Sequence, residues 1–361
     1  VAGISDRYVA RTVIAAAVLV LLAFTALLLV FALLDEFEDR SADYGYQQAI
    51  EYVLLTLPRQ LYSVLPYAVF LGSLIGLGTL ASSSQLVALR AAGVSPLRVF
   101  RGVLFAVAGF MVLGYALGEY FAPTGEARAE LMKAQARQGG ASVTIRRGYW
   151  YREGPLFMSV DGLSAEGELR GVRQFWFDGD DQLVRSLTAK RARYSTGADG
   201  VEARGWMLYD VLESRLTPDQ VEVRTYPQLA WPGAVTPQLL TSSALLEPGK
   251  LSISALFAQV DYMEREGLES GVYATALWSK LLQPFAVLAL SLLALGFVLG
   301  PLRSVSLGTR LATGIFAGLG FKYLQDLFAP MTQVYGVPAP LAVLIPILCC
   351  ALVGWLAIRR A

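Results

Sequence analysis

Histidine is absent from the 361 residues. With it go His-based metal sites, Ser-His-Asp and Cys-His catalysis, and histidine proton relays. Cysteine is nearly absent too. Cys349 and Cys350 stand side by side in an apolar run, so no disulfide framework exists and the pair reads as small buried apolar side chains. Charge is scarce: Asp, Glu, Lys and Arg make up 16% of the chain, against about 25% in soluble domains. The net charge of +1 supplies no electrostatic footprint for nucleic acid. Neither a Gly-x-x-x-x-Gly-Lys-Ser/Thr phosphate loop nor a Gly-x-Ser-x-Gly nucleophile elbow occurs, so ATP is not held by that device and no α/β-hydrolase chemistry is expected. No cofactor and no metal are expected.

What is present is apolar and unevenly spread. Hydrophobic residues make up 55% and the mean hydropathy is +0.49. Residues 123–272 carry 17 Lys and Arg and 20 Asp and Glu, well over half of the 59 charges in the chain. A polar, nearly neutral segment is thus flanked by two apolar ones, the pattern of a membrane protein with one soluble insert. The uncharged run Thr12–Leu34 is long enough for a ~30 Å hydrocarbon core and too long for a signal peptide's apolar region, so it reads as a retained span. Further spans are expected at Leu61–Leu80, Val103–Ala122, Tyr273–Leu299, Leu311–Phe328 and Leu341–Ile358. The fold class is therefore an α-helical membrane protein of six transmembrane helices, three on each side of an all-β, jelly-roll-like insert. Three regions follow: 1–122, 123–250 with its linkers, and 251–361 with a connecting helix ahead of the last three spans.

Short-loop arginines set the expected orientation. Arg7 and Arg11, then Arg90, Arg98 and Arg101, then Arg303 and Arg310, then Arg359 and Arg360 fall on one side. The first loop on the other side is acidic, with Arg40 its only cation, and the last is uncharged. Both termini are expected in the cytoplasm and the insert outside it. Within the insert, Val221–Arg224 alternates as a half-buried strand should, and Phe175-Trp176-Phe177 runs into the turn cluster Asp178-Gly179-Asp180-Asp181 before Leu183 opens the next strand. Ala198-Asp199-Gly200 punctuates another pair. Leu251–Glu266 is expected to be helical, capped by Ser252 or Ser254, with Leu256, Val260 and Met263 on one face.

Several stretches carry a resemblance. They are Ser5-Asp6-Arg7-Tyr8, Leu71-Gly72-Ser73-Leu74-Ile75-Gly76-Leu77-Gly78, Gly118-Glu119-Tyr120-Phe121-Ala122-Pro123, Trp278-Ser279-Lys280 with Gln283-Pro284, Gly300-Pro301-Leu302-Arg303-Ser304 and Val334-Tyr335-Gly336. In order and spacing the chain resembles the lipopolysaccharide export permeases of Gram-negative bacteria, the LptF/LptG family. The Gly-Pro-Leu-Arg-Ser and Val-Tyr-Gly stretches favour its LptG branch. The resemblance implies an inner-membrane subunit of an ABC transporter, paired with LptF on a dimeric LptB ATPase. Such a transporter draws lipopolysaccharide from the membrane and passes it to the jelly rolls of LptC and LptA on the way to the outer membrane. ATP hydrolysis then belongs to the partner, and the permease is not itself an enzyme.

The resemblance gives Ala81–Gly93 the role of coupling helix, with Gln85, Leu86, Leu89 and Arg90 as contacts to the ATPase. By its residues alone it is a short amphipathic helix stopped by Gly93 and Pro96, which equally suits a plain interfacial loop. Family members often carry glutamate where Gln85 stands. Lipopolysaccharide offers acyl chains and anionic phosphates. Arg59, Lys133 and Arg137 are the candidate rim cations, with snorkelling to ordinary headgroups as the plainer alternative. Phe24, Leu28, Phe31, Leu65, Val69, Phe316, Leu319 and Phe321 are the candidate acyl-chain lining from spans one, two and five. Lys322 and Asp326 are spaced to pair on one helix face, while Lys280 and Glu119 are left either to pair across helices or to line the cavity. The glycines at 72, 76 and 78 and at 314, 318 and 320 suit close helix packing. A tether whose β domain binds a partner, and an envelope-lipid enzyme built on Asp or Glu with Ser, are the competing readings. No paired carboxylates at cavity depth favour the enzyme.

Overall fold

The computed structural model describes residues 3–38, 44–137, 143–163, 168–180, 182–195, 205–217, 220–231, 247–299 and 305–359. The Gly300–Ser304 stretch, Ala198–Gly200, Arg40 and Arg360 lie outside them. The first half holds α1 (Ile4–Glu38), α2 (Tyr46–Ser82), α3 (Gln85–Ala91) and α4 (Pro96–Ala116), which passes through a π-helical turn (Leu117–Phe121) into α5 (Ala122–Arg137). Strands β1 (Val143–Glu153), β2 (Leu156–Leu163), β3 (Leu169–Phe177), β4 (Leu183–Ser195), β5 (Gly205–Leu216) and β6 (Val221–Trp231) follow. A 3-10 turn (Pro248–Lys250) and α6 (Ile253–Arg265) lead back to α7 (Gly271–Leu299), α8 (Leu307–Phe328), α9 (Met331–Tyr335) and α10 (Ala339–Arg359).

Among the described residues, five helical stretches are long and apolar enough to cross a membrane: Asp6–Glu38, Tyr46–Ser82, Arg98–Lys133, Gly271–Leu299 and Ala339–Arg359. The fifth expected span, Leu311–Phe328, lies in the helix α8, 22 residues or about 33 Å long, which is not apolar enough to count among them because it carries Arg310, Lys322 and Asp326. Two expected boundaries move. The second helix does not start after Pro58 but at Tyr46, and runs through Pro58 and Pro66. The third does not close at Pro123 but continues to Arg137. An interior proline costs about 3 kcal/mol, and membrane helices tolerate it where neighbours hold the chain. Around Pro58, α2 buries Ala49, Val53 and Thr56, while the π turn just before Pro123 absorbs the irregularity there.

The bundle core joins α1, α2, α4, α7 and α10 through residues such as Val13, Phe70, Val103, Leu290 and Ile347. Glycine decides how close α1 and α2 come: a Cβ at Gly72 would lie 2.2 Å from the Ala17 backbone, so only hydrogen fits. Gly78 likewise makes room for the Arg310 side chain, which a Cβ would meet at 2.1 Å.

The insert is one six-stranded antiparallel sheet in the order β1 to β6, each strand paired with its sequence neighbours. Its buried face carries Met158, Val172, Leu187, Trp206, Leu208 and Val211. Inward residues on β4 are Leu187, Ala189 and Ala192, and on β5 Trp206, Leu208, Val211 and Glu213. The alternation thus steps by three around Lys190 and Asp210, and Asp210 takes a positive φ of 53° there. Val221–Arg224 is a strand but not a half-buried one: Val221 and Val223 are exposed, because their end of β6 has no described element packed over it. Helix α6 ties sheet to bundle. Ser252 caps it by accepting from the Ala255 amide at 3.1 Å, Leu256 is buried at its foot, and the Tyr262 ring stacks on Tyr151 at 5.0 Å. The Tyr262 hydroxyl also accepts from the Arg152 amide at 3.0 Å.

Candidate functional site

Between α1, α2 and α8 lies an apolar groove of about 270 Å³. Phe24 and Leu28 form one wall, Val64, Tyr67 and Leu71 the second, Ile315 and Leu319 the third, and Lys322 stands at its edge. The helix periods bring these residues together, since each set recurs at three- or four-residue steps. Gly314 and Gly318 keep the α8 wall thin, and a Cβ at Gly314 would lie 2.6 Å from Leu74. Of the candidate lining, Phe24, Leu28 and Leu319 face this groove. Phe31 and Phe316 are exposed on the outer bundle surface. Leu65 and Val69 are buried in the helical core at 1% and 0% exposure, and Phe321 turns to a different cavity. Tyr67 and Ile315 line the groove without having been singled out in the sequence, and Lys322, expected there only as the partner of Asp326, stands at its edge.

The candidate rim cations are not bare charges. Lys133 Nζ sits 2.5 Å from the Glu36 carboxylate at the end of α1 and 4.6 Å over the Tyr52 ring. The Tyr44 hydroxyl donates to the same Glu36 oxygen at 2.8 Å. Arg59 is about half exposed and stands 3.7 Å from Glu126, whose side chain is 1% exposed. Lys250, from the 3-10 turn, closes the cluster at 3.2 Å from Glu126 and 3.0 Å from Glu130. Burial works against the Lys250 ammonium, but the Glu130 hydrogen bond and the Glu126 and Glu130 charges outweigh it and hold its pKa above the usual lysine value. The cluster joins α1, α2, α5 and the return linker at the sheet end of the bundle. Arg137 closes α5, and its side chain lies outside the described residues. The sequence signal for the missed counter-ions was present: Glu126, Glu130 and Lys133 recur at four- and three-residue steps on one helix face, which becomes visible only if the helix continues past Pro123.

At the opposite end, α3 is a seven-residue helix between the turn at Ser83-Ser84 and Gly93, which takes φ +83°. Leu86 is buried and Leu89 half-buried, and both pack into the chain's own core. The outward face instead shows Gln85, Val87 and Ala88. The Tyr8 hydroxyl donates to Gln85 Oε1 at 2.8 Å, so α1 braces this helix. Arg90 lies in α3, and its side chain is outside the described residues. Among intramembrane charges, Lys322 and Asp326 pair at 2.6 Å. Glu119 accepts from the Ile253 amide at 2.8 Å and so fastens the start of α6. Among the described residues no group of three or more His, Cys, Asp or Glu is placed to hold a metal ion.

An apolar groove opening between membrane helices, a charged cluster above it and a braced surface helix below it are the parts of a lipid permease. Comparison with known proteins bears on which one. Residues 7–360 match the family described as lipopolysaccharide export system permease LptF/LptG. The chain belongs to the LptF/LptG family. It is 33% identical to the lipopolysaccharide export system permease protein LptG of Escherichia coli strain K12, over 99% of both chains. It is 30% identical to the protein of the same name from Haemophilus influenzae, over 98% of both. As an LptF/LptG permease, the chain is a membrane transport component of the lipopolysaccharide export system, and both of these relatives carry the LptG name.

Proposed function

We propose that this chain is the LptG-type half of an ATP-driven exporter that extracts lipopolysaccharide from the inner membrane. LptF is the other half, an LptB dimer supplies ATP hydrolysis, and the lipid leaves through the jelly rolls of LptC and LptA. Both termini lie in the cytoplasm and the sheet in the periplasm. Region 1–122 carries the first three spans and the coupling helix, 123–250 the β domain and 251–361 the last three spans. The observation that carries the reading is the apolar groove between α1, α2 and α8, in a chain matched to a lipopolysaccharide export permease family over residues 7–360. Acyl chains fill the groove against Phe24, Leu28 and Leu319. Phosphates are met by Arg59, by Lys133 once it leaves Glu36, and by Arg137. Phe31 and Phe316, on the outer faces of α1 and α8, meet acyl chains at the groove's entrance or at the LptF half. Leu65, Val69 and Phe321 support the groove from behind.

Photo-crosslinkers at Leu28 and Leu319, in the full chain assembled with its partners, are expected to capture lipopolysaccharide, and one at Ile358 is not. Equal capture at all three positions sinks the groove assignment. Lipopolysaccharide-dependent ATP hydrolysis by the assembled complex separates this reading from that of a non-transporting tether.

A further inference from the structure

A second cavity, of about 350 Å³, lies on the other side of the Tyr67 ring from the groove. That volume falls within the roughly 300–1,000 Å³ of small-molecule sites. It is walled by α2, α7, α8 and α10, and Gly249 of the return linker closes its sheet end. Its polar side chains are Lys280, Asp326, Ser63, Ser279, Gln283 and Gln325, with the rings of Tyr62 and Tyr67 beside them. Between them the walls are small and apolar, as at Ala276 and Ala329. Lys280 is the unusual member. It is 91% buried and stands about 14 Å along α7 from Gly271. Its ammonium donates to the Leu251 carbonyl at 2.5 Å and lies 5.3 Å from the Tyr62 ring centre. Among the described residues no carboxylate comes within ion-pair distance of it. Glu119, the carboxylate nearest in charge, is committed to the Ile253 amide, and Asp326 on the far wall is neutralised by Lys322. An ammonium inside a membrane helix is costly, and such charges pair or serve a ligand. A polar cavity with one cation that has no ion-pair partner among the described residues fits a monoanion. Because four membrane helices wall it, an amphiphile reaches it from the bilayer.

We propose that this cavity is a second binding site, for the phosphodiester headgroup of a glycerophospholipid, with Lys280 as its counter-ion. The site is separate from the groove assigned to lipopolysaccharide. The phosphate oxygens face Lys280, Ser279 and Ser63, and the headgroup's hydroxyl or ammonium donors face Gln325 and Asp326. The bound lipid supplies the charge that Leu251 and Tyr62 cannot.

The test uses the full chain, delipidated in detergent and titrated with palmitoyl-oleoyl phosphatidylglycerol, with native mass spectrometry counting retained lipid. Inorganic phosphate forms a separate arm. One lipid is expected to be retained, with at least a tenfold weaker midpoint in Lys280→Gln and recovery in Lys280→Arg. Ala276→Leu, which fills the cavity without touching the ammonium, is expected to expel the lipid too and serves if Lys280→Gln does not fold. Leu28→Trp, in the groove, is expected to leave phospholipid binding unchanged, so failure of the two sites can be told apart. Unchanged lipid retention in Lys280→Gln or in Ala276→Leu overturns the proposal and leaves Lys280 as a pin for the return linker. Saturation by inorganic phosphate with no retained lipid overturns the lipid assignment in favour of a free-anion site.

Discussion

Single charged residues in this chain act through their counter-ions. Arg59 stands over the buried Glu126 and Lys133 is pinned to Glu36, so a lipid phosphate must replace a carboxylate rather than meet a free cation. Arg59→Glu is expected to weaken lipopolysaccharide binding about tenfold or more, since a charge-assisted bond is worth roughly 1.5–3 kcal/mol. Arg59→Lys should lose less, and Arg59→Glu with Lys133→Glu more than either alone. Undiminished binding in the double reversal, measured by lipid co-purification, assigns Arg59 to headgroup snorkelling. In the sheet, Glu213 is 2% exposed, 2.7 Å from Arg185 and 3.1 Å from Arg215. Burial pushes its carboxyl up, but the Arg215 hydrogen bond and the Arg185 charge prevail and hold its pKa below the ordinary 4.5. The unfolded chain therefore binds the proton first as pH falls. The stabilisation is fully present above about pH 4.5 and disappears as pH drops through the folded value. Glu213→Gln is expected to cost roughly 2 kcal/mol at neutral pH and to flatten that acid limb. Tryptophan fluorescence through an acid titration reads both. An identical acid limb in the variant would show that another group controls it.

At the scale of elements, α3 separates two kinds of apolar residue that look alike in sequence. Leu86 is 4% exposed and belongs to the bundle core, while Val87 is 45% exposed on the outer face. Leu86→Asp is expected to cut the yield of folded chain by burying an unpaired charge. Val87→Asp should leave folding intact and break coupling to the ATPase, seen as hydrolysis without lipid export. Unchanged export in Val87→Asp moves the ATPase contact away from this face. Gln85→Glu should be tolerated, because a carboxylate accepts the Tyr8 hydroxyl as well as an amide oxygen does. The strands teach a related point. Period-two alternation marks β4 and β5 correctly as strands, but the inward series steps by three at Lys190 and Asp210, so a strict alternation assigns half of each strand to the wrong face.

For the whole molecule, the arginine-rich and arginine-poor ends predict a direction. A reporter fused after Arg360 is expected to read cytoplasmic and one inserted at Gly197 periplasmic. The reverse result at either position discards the topology. That arrangement places the charged cluster of α1, α2, α5 and the return linker outside and α3 inside, with the groove between. Much of this was legible without coordinates. Uncharged runs of about 20 residues have few fates other than spanning a bilayer, a charge-rich block between them must lie in water, and turn clusters such as Asp178–Asp181 mark where strands end. These are local properties, set by composition and period. What only the tertiary structure decided is which side chains meet. Whether a helix runs through Pro58 and Pro123 depends on the neighbours that grip it. Whether Leu65 faces a groove and Leu28 a core, or the reverse, depends on the rotation of one helix against another. That rotation is fixed by close approaches such as Gly72 on Ala17. The counter-ions of Lys133 and Arg59 and the carbonyl that holds Lys280 come from positions 97, 67 and 29 residues away. No periodicity within one segment encodes a partner in another, because electrostatic pairing is settled by distance in space and not along the chain.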